Sequence, residues 1–534
     1  MSDKEQEILT QEAAVKNVNN AALADATRRQ KPSLFTKRMF KLYWALAIAT
    51  LNCCINGYDG SLMGSINSYP QYREYFGFDP VKGTPATGIV YAIYTIGSIV
   101  GSFAGGPAAD FRGRRIGMAI GAVIVIIGTI IQGTCHNIEG FMAGRFLLGF
   151  GGAICGTAAP AYVSEIAHPS FRGAMTAVYG VFWFGGGIPG TFIPWRTSQI
   201  EGDLAWRIPV WLQMVYSGLV LLFVFTIPES PRWLISRGRD QDALKVLAEY
   251  HGEGDQNSPI VQLEYREMQE DISKTGSDKR WWDYSELFNT RETRYRSMMV
   301  FFMALFGQWT GNGPVSYYYP QMLRGAGVSS LNTQLLLQGM QNVVQLIGAI
   351  SGALITDRIG RRIQLLTSTA IIVIIFIIVL ALNAVNVIET PEGVIAKSDK
   401  IAQAEIAMIF VFGFFYSAGW TPNQAMYPAE CLRYESRGKG MAMNFFIMNV
   451  ASFYNTFVTG IAFTNAGWKY YFLFVFWDIF EFLVIYFLFV ETSQRTLEEL
   501  TVIFRSKNPV KASKRRTIIV VHDTESPGDS QEEL

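Results

Sequence analysis

GGPAADFRGRR, residues 105–115, decides the fold, because the chain repeats it as SGALITDRIGRR, residues 351–362. Asp110, Gly113, Arg114 and Arg115 recur as Asp357, Gly360, Arg361 and Arg362, all at one offset (357 − 110 = 247). Each copy sits between two long apolar runs, so it reads as a tight charged loop at a membrane face. Two more pairs follow in the same order. SEIAHPSFRG (164–173) is echoed by AECLRYESRG (429–438), which sets Glu165 and Arg172 against Glu430 and Arg437. PESPRWL (228–234) is echoed by VETSQRTL (490–497), which sets Glu229 against Glu491. Three motifs in one order at nearly one offset predict an internal duplication. Parallel halves of this kind are a known plan of membrane transporters.

Composition agrees. Half of the residues are hydrophobic and 17% are charged, against about 25% charged in an ordinary soluble domain. The net charge of +1 suggests no nucleic-acid partner. The five cysteines, Cys53, Cys54, Cys135, Cys155 and Cys431, are scattered without a CxxC or His/Cys cluster. No metal site or disulfide framework is expected. No nucleophile–base array or phosphate loop stands out, so neither an enzyme nor a cofactor is expected. His136, His168, His251 and His522 show no evident partners. Residues 1–40 are polar, which argues against a cleavable signal peptide and leaves targeting to the first membrane helix.

A span needs about 20 mostly apolar residues. Twelve are expected, near 42–66, 86–108, 116–134, 140–162, 173–194 and 207–227, then 296–322, 333–355, 363–384, 402–427, 439–463 and 467–490. The fold class is therefore an all-α membrane protein of two six-helix halves. Residues 1–40 form an N-terminal tail, 41–228 the first half, 229–294 a helical linker, 295–491 the second half and 492–534 a C-terminal tail. Helical spacing in 239–252 and 261–274 predicts short helices in the linker. The tail beyond about 505 reads as disordered. Lys and Arg concentrate in the 109–115 loop, in its repeat and before the first span, which puts both termini and the linker in the cytoplasm.

Ionisable groups inside spans are the sharpest functional signal, since each costs about 2.5–3.5 kcal/mol at a helix centre on insertion scales. Asp59 lies in the first span and Arg145 in the fourth. A carboxylate that can trade an Arg partner for a proton couples transport to protons; a permanent ion pair is the structural alternative. Asp110, Arg114, Arg115, Glu165, Arg172, Glu229 and Arg232 in the first half, with Asp357, Arg361, Arg362, Glu430, Arg437 and Glu491 in the second, suggest a cytoplasmic gate of Arg–carboxylate pairs. Positive-inside topology alone would explain the arginines but not the acids. A third group is polar and aromatic: Gln308, Trp309, Asn312, Tyr317 and Tyr318 in the seventh span, Gln341, Asn342 and Gln345 in the eighth, Trp420 in the tenth and Asn449 in the eleventh. Amides offer donors and acceptors together, which suits a neutral polyhydroxylated ligand. Helix–helix contact is the alternative for any one of them.

Together the GRR loops, PESPRWL, the paired Glu…Arg-Gly segments and ETSQRTLEE (491–499) resemble the sugar porter family of the major facilitator superfamily over residues 40–505. NGYDGSLMGSIN (56–67) and GQWTGNGPVSYY (307–318) look most like fungal lactose and cellodextrin permeases. The resemblance implies alternating access, with a sugar held between the halves of a plasma-membrane monomer. It implies proton coupling through Asp59 and Arg145, and an external gate at Tyr317 and Tyr318. Two glutamines of the family's sugar site fall on Gly180 and Gly307. Their loss suggests a roomier cavity and a β-linked disaccharide, lactose or cellobiose, as substrate. A monosaccharide or polyol transporter is the first alternative, and a sugar receptor without transport the second.

Overall fold

A computed structural model describes residues 35–77, 85–169, 172–275, 284–317, 319–325, 328, 330–390, 393–433, 436–493 and 497–514. Two sets of six spans are present. In the first half they are Lys37–Ile66, Pro85–Phe111, Arg114–Thr134, Ile138–Ile166, a fifth in three pieces (Arg172–Val181, Trp183–Gly187, Pro189–Thr197) and a sixth in two (Leu204–Trp211, Met214–Phe223). In the second half they are a broken seventh (Arg291–Trp309, Asn312–Tyr317), Leu331–Ile359, Arg361–Asn386, a broken tenth (Asp399–Gly419, Asn423–Cys431), Arg437–Ala466 and Tyr471–Leu488. All twelve fall where hydropathy put them, with ends shifted by a few residues.

Among the described residues, nine helices are long and apolar enough to cross a membrane by themselves. The other three spans are the fifth, seventh and eleventh. The fifth and seventh are interrupted, and the eleventh carries Asn444, Asn449 and Asn455. Interrupted backbone at membrane depth is tolerated where protein buries it or where it lines a cavity. The seventh breaks at Gly311, whose φ is +72°. A side chain there would be strained, and its Cβ would lie 2.3 Å from the Phe376 ring.

Each half has its own apolar core. The second half packs Met303, Phe306, Phe376, Phe412, Trp420 and Phe489 together. The first half has one cluster around Leu42, Met118, Tyr162 and Val220 and another around Tyr72, Phe141 and Trp206, which Leu335 of the eighth span joins. The second span runs beside the eleventh, with Phe103 and Phe446 rings 5.9 Å apart. Hydrogen bonds among the described residues join the halves: Ser65 Oγ to Gln338 Oε1 at 3.1 Å, Asn342 Nδ2 to Gly187 O at 3.3 Å and Gln199 Nε2 to Asn332 Oδ1 at 3.3 Å. All three lie away from the face that bears the GRR loops.

The linker folds as helices Pro231–Ser236, Asp240–Tyr250 and Pro259–Thr275 around Leu234, Leu247, Val261 and Met268. It docks under the first half: Trp233 Nε1 donates to Asp110 O at 3.0 Å. His251 does have partners, contrary to the sequence reading. Its ring nitrogens face Glu264 Oε2 at 2.5 Å and Ile166 O at 3.0 Å. His136 Nδ1 likewise lies 3.2 Å from the Tyr75 hydroxyl.

Two segments depart from expectation. Residues Val387–Thr390 and Gly393–Ala396 pair as a short antiparallel hairpin between the ninth and tenth spans. The chain past 505 is ordered for one more turn, Pro509–Ser513, because Ser513 Oγ accepts from Glu491 N at 3.2 Å. The rest of that tail, 515–534, and residues 1–34 of the N-terminal tail lie outside the described residues.

Candidate functional site

The GRR repeat explains itself at atomic scale. Gly113 has φ +103° and Gly360 φ +96°, so each turns the chain in a conformation that favours glycine. A Cβ at Gly113 would lie 2.2 Å from Glu229 Oε2, and one at Gly360 would lie 2.7 Å from Glu491 Oε2. The carboxylates occupy that space because each caps a helix N-terminus, where free N–H groups attract anions. Glu229 accepts from the N–H groups of Arg114 (2.9 Å), Arg115 (3.4 Å) and Ser230 (2.9 Å). Glu491 accepts from those of Arg361 (2.9 Å), Arg362 (3.1 Å) and Ser493 (3.0 Å). Burial still pushes the Glu229 carboxyl above the usual carboxylate range, against these donors.

The arginines complete both copies. Arg114 forks onto Glu165 with two bonds of 3.0 Å and reaches Asp110 at 2.5 Å. Arg361 bonds Glu430 at 2.9 Å and Ser493 Oγ at 3.0 Å. Arg115 reaches Phe225 O at 2.8 Å, and Arg362 reaches Tyr486 O at 2.6 Å. Each of these contacts stays within one half. Arg232 sits half-buried in the first linker helix. The side chains of Arg172, Asp357 and Arg437 lie outside the described residues.

Asp59 and Arg145 meet inside the first half. Arg145 Nη1 donates to Asp59 Oδ1 at 2.5 Å, and both side chains are at most 4% exposed. Gln213, from the sixth span, donates to the same oxygen at 3.0 Å. The Arg145 guanidinium lies over the Tyr94 ring, 4.8 Å from its centroid. Asp59 Oδ2 is buried with no hydrogen-bond partner among the described residues. Sequence reasoning missed Gln213 and Tyr94, because nothing in their own spans distinguishes them.

The polar group is spread over the second half. Gln308 and Asn312 are half-buried at the break in the seventh span, and Asn312 Oδ1 accepts from Ser316. Gln345 is buried in the eighth span. Asn342 bonds across the halves to Gly187 O. Four other members of the group make contacts within their own half. Trp309 donates to Ala451 O at 3.0 Å and packs on Tyr454 and Trp477, so it fills the seam with the last two spans. Gln341 donates to Ile409 O at 3.1 Å between the eighth and tenth spans. Trp420 is fully buried in the core of its half. Asn449 donates to Phe445 O on its own helix at 2.9 Å. The Tyr317 side chain and Tyr318 lie outside the described residues.

The two presumed openings also differ. Gly180 faces open space, with no atom within 4 Å of a Cβ built on it. At Gly307 the space is taken by Gln424, whose amide donates to Gly307 O at 3.1 Å.

Three buried acids escaped the sequence reading, although the rule applied to Asp59 covers them: Glu405, Asp478 and Glu481. So did Glu292, which gathers Arg296, Arg433 and Arg505 at the face bearing the GRR loops. There the signal was only a charged segment before a span.

Residues 44–504 match the family described as Sugar (and other) transporter. The chain is 27% identical over 511 residues to a quinate permease of Neurospora terricola, covering 92% of this chain and 93% of the other. It is 27% identical over 472 residues to a high-affinity glucose transporter of Kluyveromyces lactis, covering 86% and 85%. Its fold matches the proton:xylose symporter XylE with 6-bromo-6-deoxy-D-glucose bound, at a TM-score of 0.70 and 18% identity, over 87% of this chain and 99% of the other. With its duplicated charged loops, its two six-helix halves and a family match across nearly the whole membrane part, the chain belongs to the sugar porters of the major facilitator superfamily.

Proposed function

We propose that this protein is a proton-coupled symporter of the plasma membrane, taking up a neutral, single-ring polyhydroxylated solute: a monosaccharide or cyclic polyol. The observation that carries this reading is the Asp59–Arg145 pair. A carboxylate with its cation on another helix changes its proton affinity when that helix moves. Asp59 Oδ2, buried and without a partner among the described residues, is an oxygen at which a proton can sit. The positive-inside rule supports placing the GRR loops, the linker and both termini in the cytoplasm. On that assignment the bonds between the halves close the outer side, which is an inward-facing arrangement. The Arg–carboxylate clusters would then meet across the halves in the outward-facing state and act as the cytoplasmic gate, with a single chain as the transporting unit.

For the substrate, Gln308, Asn312 and Gln345 provide uncharged donors and acceptors, and Arg145 is engaged by Asp59. This favours a neutral ring over an acid, although relatives named quinate permeases make quinate a necessary test. The open space at Gly180 favours a second reading, a β-linked disaccharide. Gln424 beside Gly307 removes the other half of that argument.

External alkalinisation by cells expressing the chain tests both points. Glucose, xylose, quinate, lactose and cellobiose are added in turn, with Asp59→Asn alongside. Alkalinisation with glucose or xylose, lost in Asp59→Asn, is the expected result. Sugar equilibration without proton movement would refute coupling, and a response to lactose or cellobiose alone would establish the disaccharide reading instead.

A further inference from the structure

The twelfth span carries two acids in its middle, Asp478 and Glu481, both 0% exposed. Neither oxygen of Asp478 has a hydrogen-bond partner among the described residues. Glu481 is held on both sides. Trp477 Nε1 donates to its Oε1, and its Oε2 lies 2.7 Å from the hydroxyl of Thr310. Thr310 is the last residue before Gly311, where the seventh span breaks. The same hydroxyl lies 2.5 Å from Phe306 O.

A threonine hydroxyl has one hydrogen, and a carbonyl oxygen only accepts. If Glu481 were a carboxylate it too could only accept. One of the two short contacts would then be oxygen against oxygen with no hydrogen between. Both are hydrogen bonds if Glu481 is the neutral acid. Its Oε2–H donates to Thr310 Oγ1, Thr310 donates to Phe306 O, and Trp477 donates to Oε1.

Among the described residues, no Lys or Arg is bonded to either acid. On the seventh span Arg291, Glu292, Arg294 and Arg296 all sit in the first two turns, and Arg296 is about 21 Å of helix rise from Thr310. On the ninth span Arg361 and Arg362 sit at its start, bonded to Glu430 and Tyr486 O. Lys469 precedes the twelfth span, about 18 Å of rise from Glu481. Tyr454 of the eleventh stacks on Trp309, and Tyr471 and Asp478 share the twelfth span with Glu481. A second acid one turn away raises the cost of ionising either.

We propose that Glu481 is a second proton-binding site, in the half opposite Asp59, whose proton secures the break in the seventh span. On release the proton passes to water. Thr310 then turns its hydrogen to the new carboxylate, and Phe306 O loses that donor. The break that carries Gln308 and Asn312 is thereby loosened, so the proton on Glu481 acts on the helix that presents these amides.

Infrared spectra of the purified full chain in lipid bilayers test this, with Asp59→Asn in every sample so that the first pair is silent. At neutral pH a C=O band of a neutral carboxylic acid is expected, lost in Glu481→Gln. It should shift in Thr310→Val and return in Thr310→Ser, a pair that also serves if Glu481→Gln does not fold. A band that survives Glu481→Gln but vanishes in Asp478→Asn, or carboxylate bands alone, would overturn the assignment. Amide hydrogen exchange across 306–313, corrected for intrinsic rate, should become about fivefold faster at alkaline pH in the parent and not in Glu481→Gln. Equal exchange in both would refute the link to the break. None of these readouts requires transport or a known substrate.

Discussion

At Gly180 a Cβ would meet no atom within 4 Å, whereas at Gly307 it would lie 2.6 Å from Gln424 Nε2. The two glycines looked equivalent in the sequence, since the resemblance to sugar porters implies a glutamine at each position. The structure separates them by what fills the vacated space. Gly180→Gln should therefore fold normally and change which solutes compete for uptake. Gly307→Gln adds a long side chain beside Gln424, and overpacking of this kind costs about 1–3 kcal/mol. Thermal melts of the two purified variants check this. A Gly307→Gln protein as stable as its parent would show that Gln424 can move aside, and would restore Gly307 to the disaccharide argument. The buried acids of the twelfth span were legible and were missed for a simpler reason. WDIFEFLV (477–484) is otherwise so apolar that its two carboxyls disappear into a hydropathy average.

Helix ends at the face bearing the GRR loops are held by carboxylates, and these follow two different balances. Glu229 is raised by burial, while Glu292 goes the other way. Burial pushes Glu292 up, but the hydrogen bonds of Arg433 and Arg505 and the charge of Arg296 outweigh it, holding the carboxyl below the usual range. A depressed native value means that the unfolded chain binds the proton more readily, so stability rises with pH through the acid range. The contribution of Glu292 is present above the ordinary carboxylate value of about 4.3 and is lost as pH falls through the lower native value. Glu292→Gln should cost about 1–3 kcal/mol at neutral pH, Arg505 being largely exposed and screened. Most of the difference from the parent should disappear in acid. A gap that widens as pH falls would refute the sign. The repeat made Glu229 and Glu491 visible before any coordinates, because a spacing copied at a constant offset marks a shared geometry. Glu292 has no such copy, and its three arginines come from residues 296, 433 and 505, which only folding brings together.

Across the whole molecule, the twelve spans and their division into halves were readable because lipid demands long apolar segments with satisfied backbone. What was not readable is how the halves lean on each other. That depends on single contacts between residues far apart in sequence, such as Ser65 with Gln338 and Gln199 with Asn332. Of the amides assigned to the ligand, Asn342 makes such a contact and Gln341 and Asn449 bond within a half, because an Asn or Gln serves a helix seam and a sugar equally well. The closure they form gives a direct test of alternating access. Gln199 and Asn332 are both exposed, on opposite halves, and far from the GRR loops. Replacing both with Cys and joining them with a short thiol-reactive cross-linker should hold this face shut. All five native cysteines are buried, so labelling should favour the new pair. Uptake should fall in proportion to cross-linking and recover when a reducible linker is cleaved, while either single Cys variant transports normally. Full uptake in fully cross-linked protein would mean that these two points need not separate during transport. The solute would then have to enter by a path that leaves this closure intact.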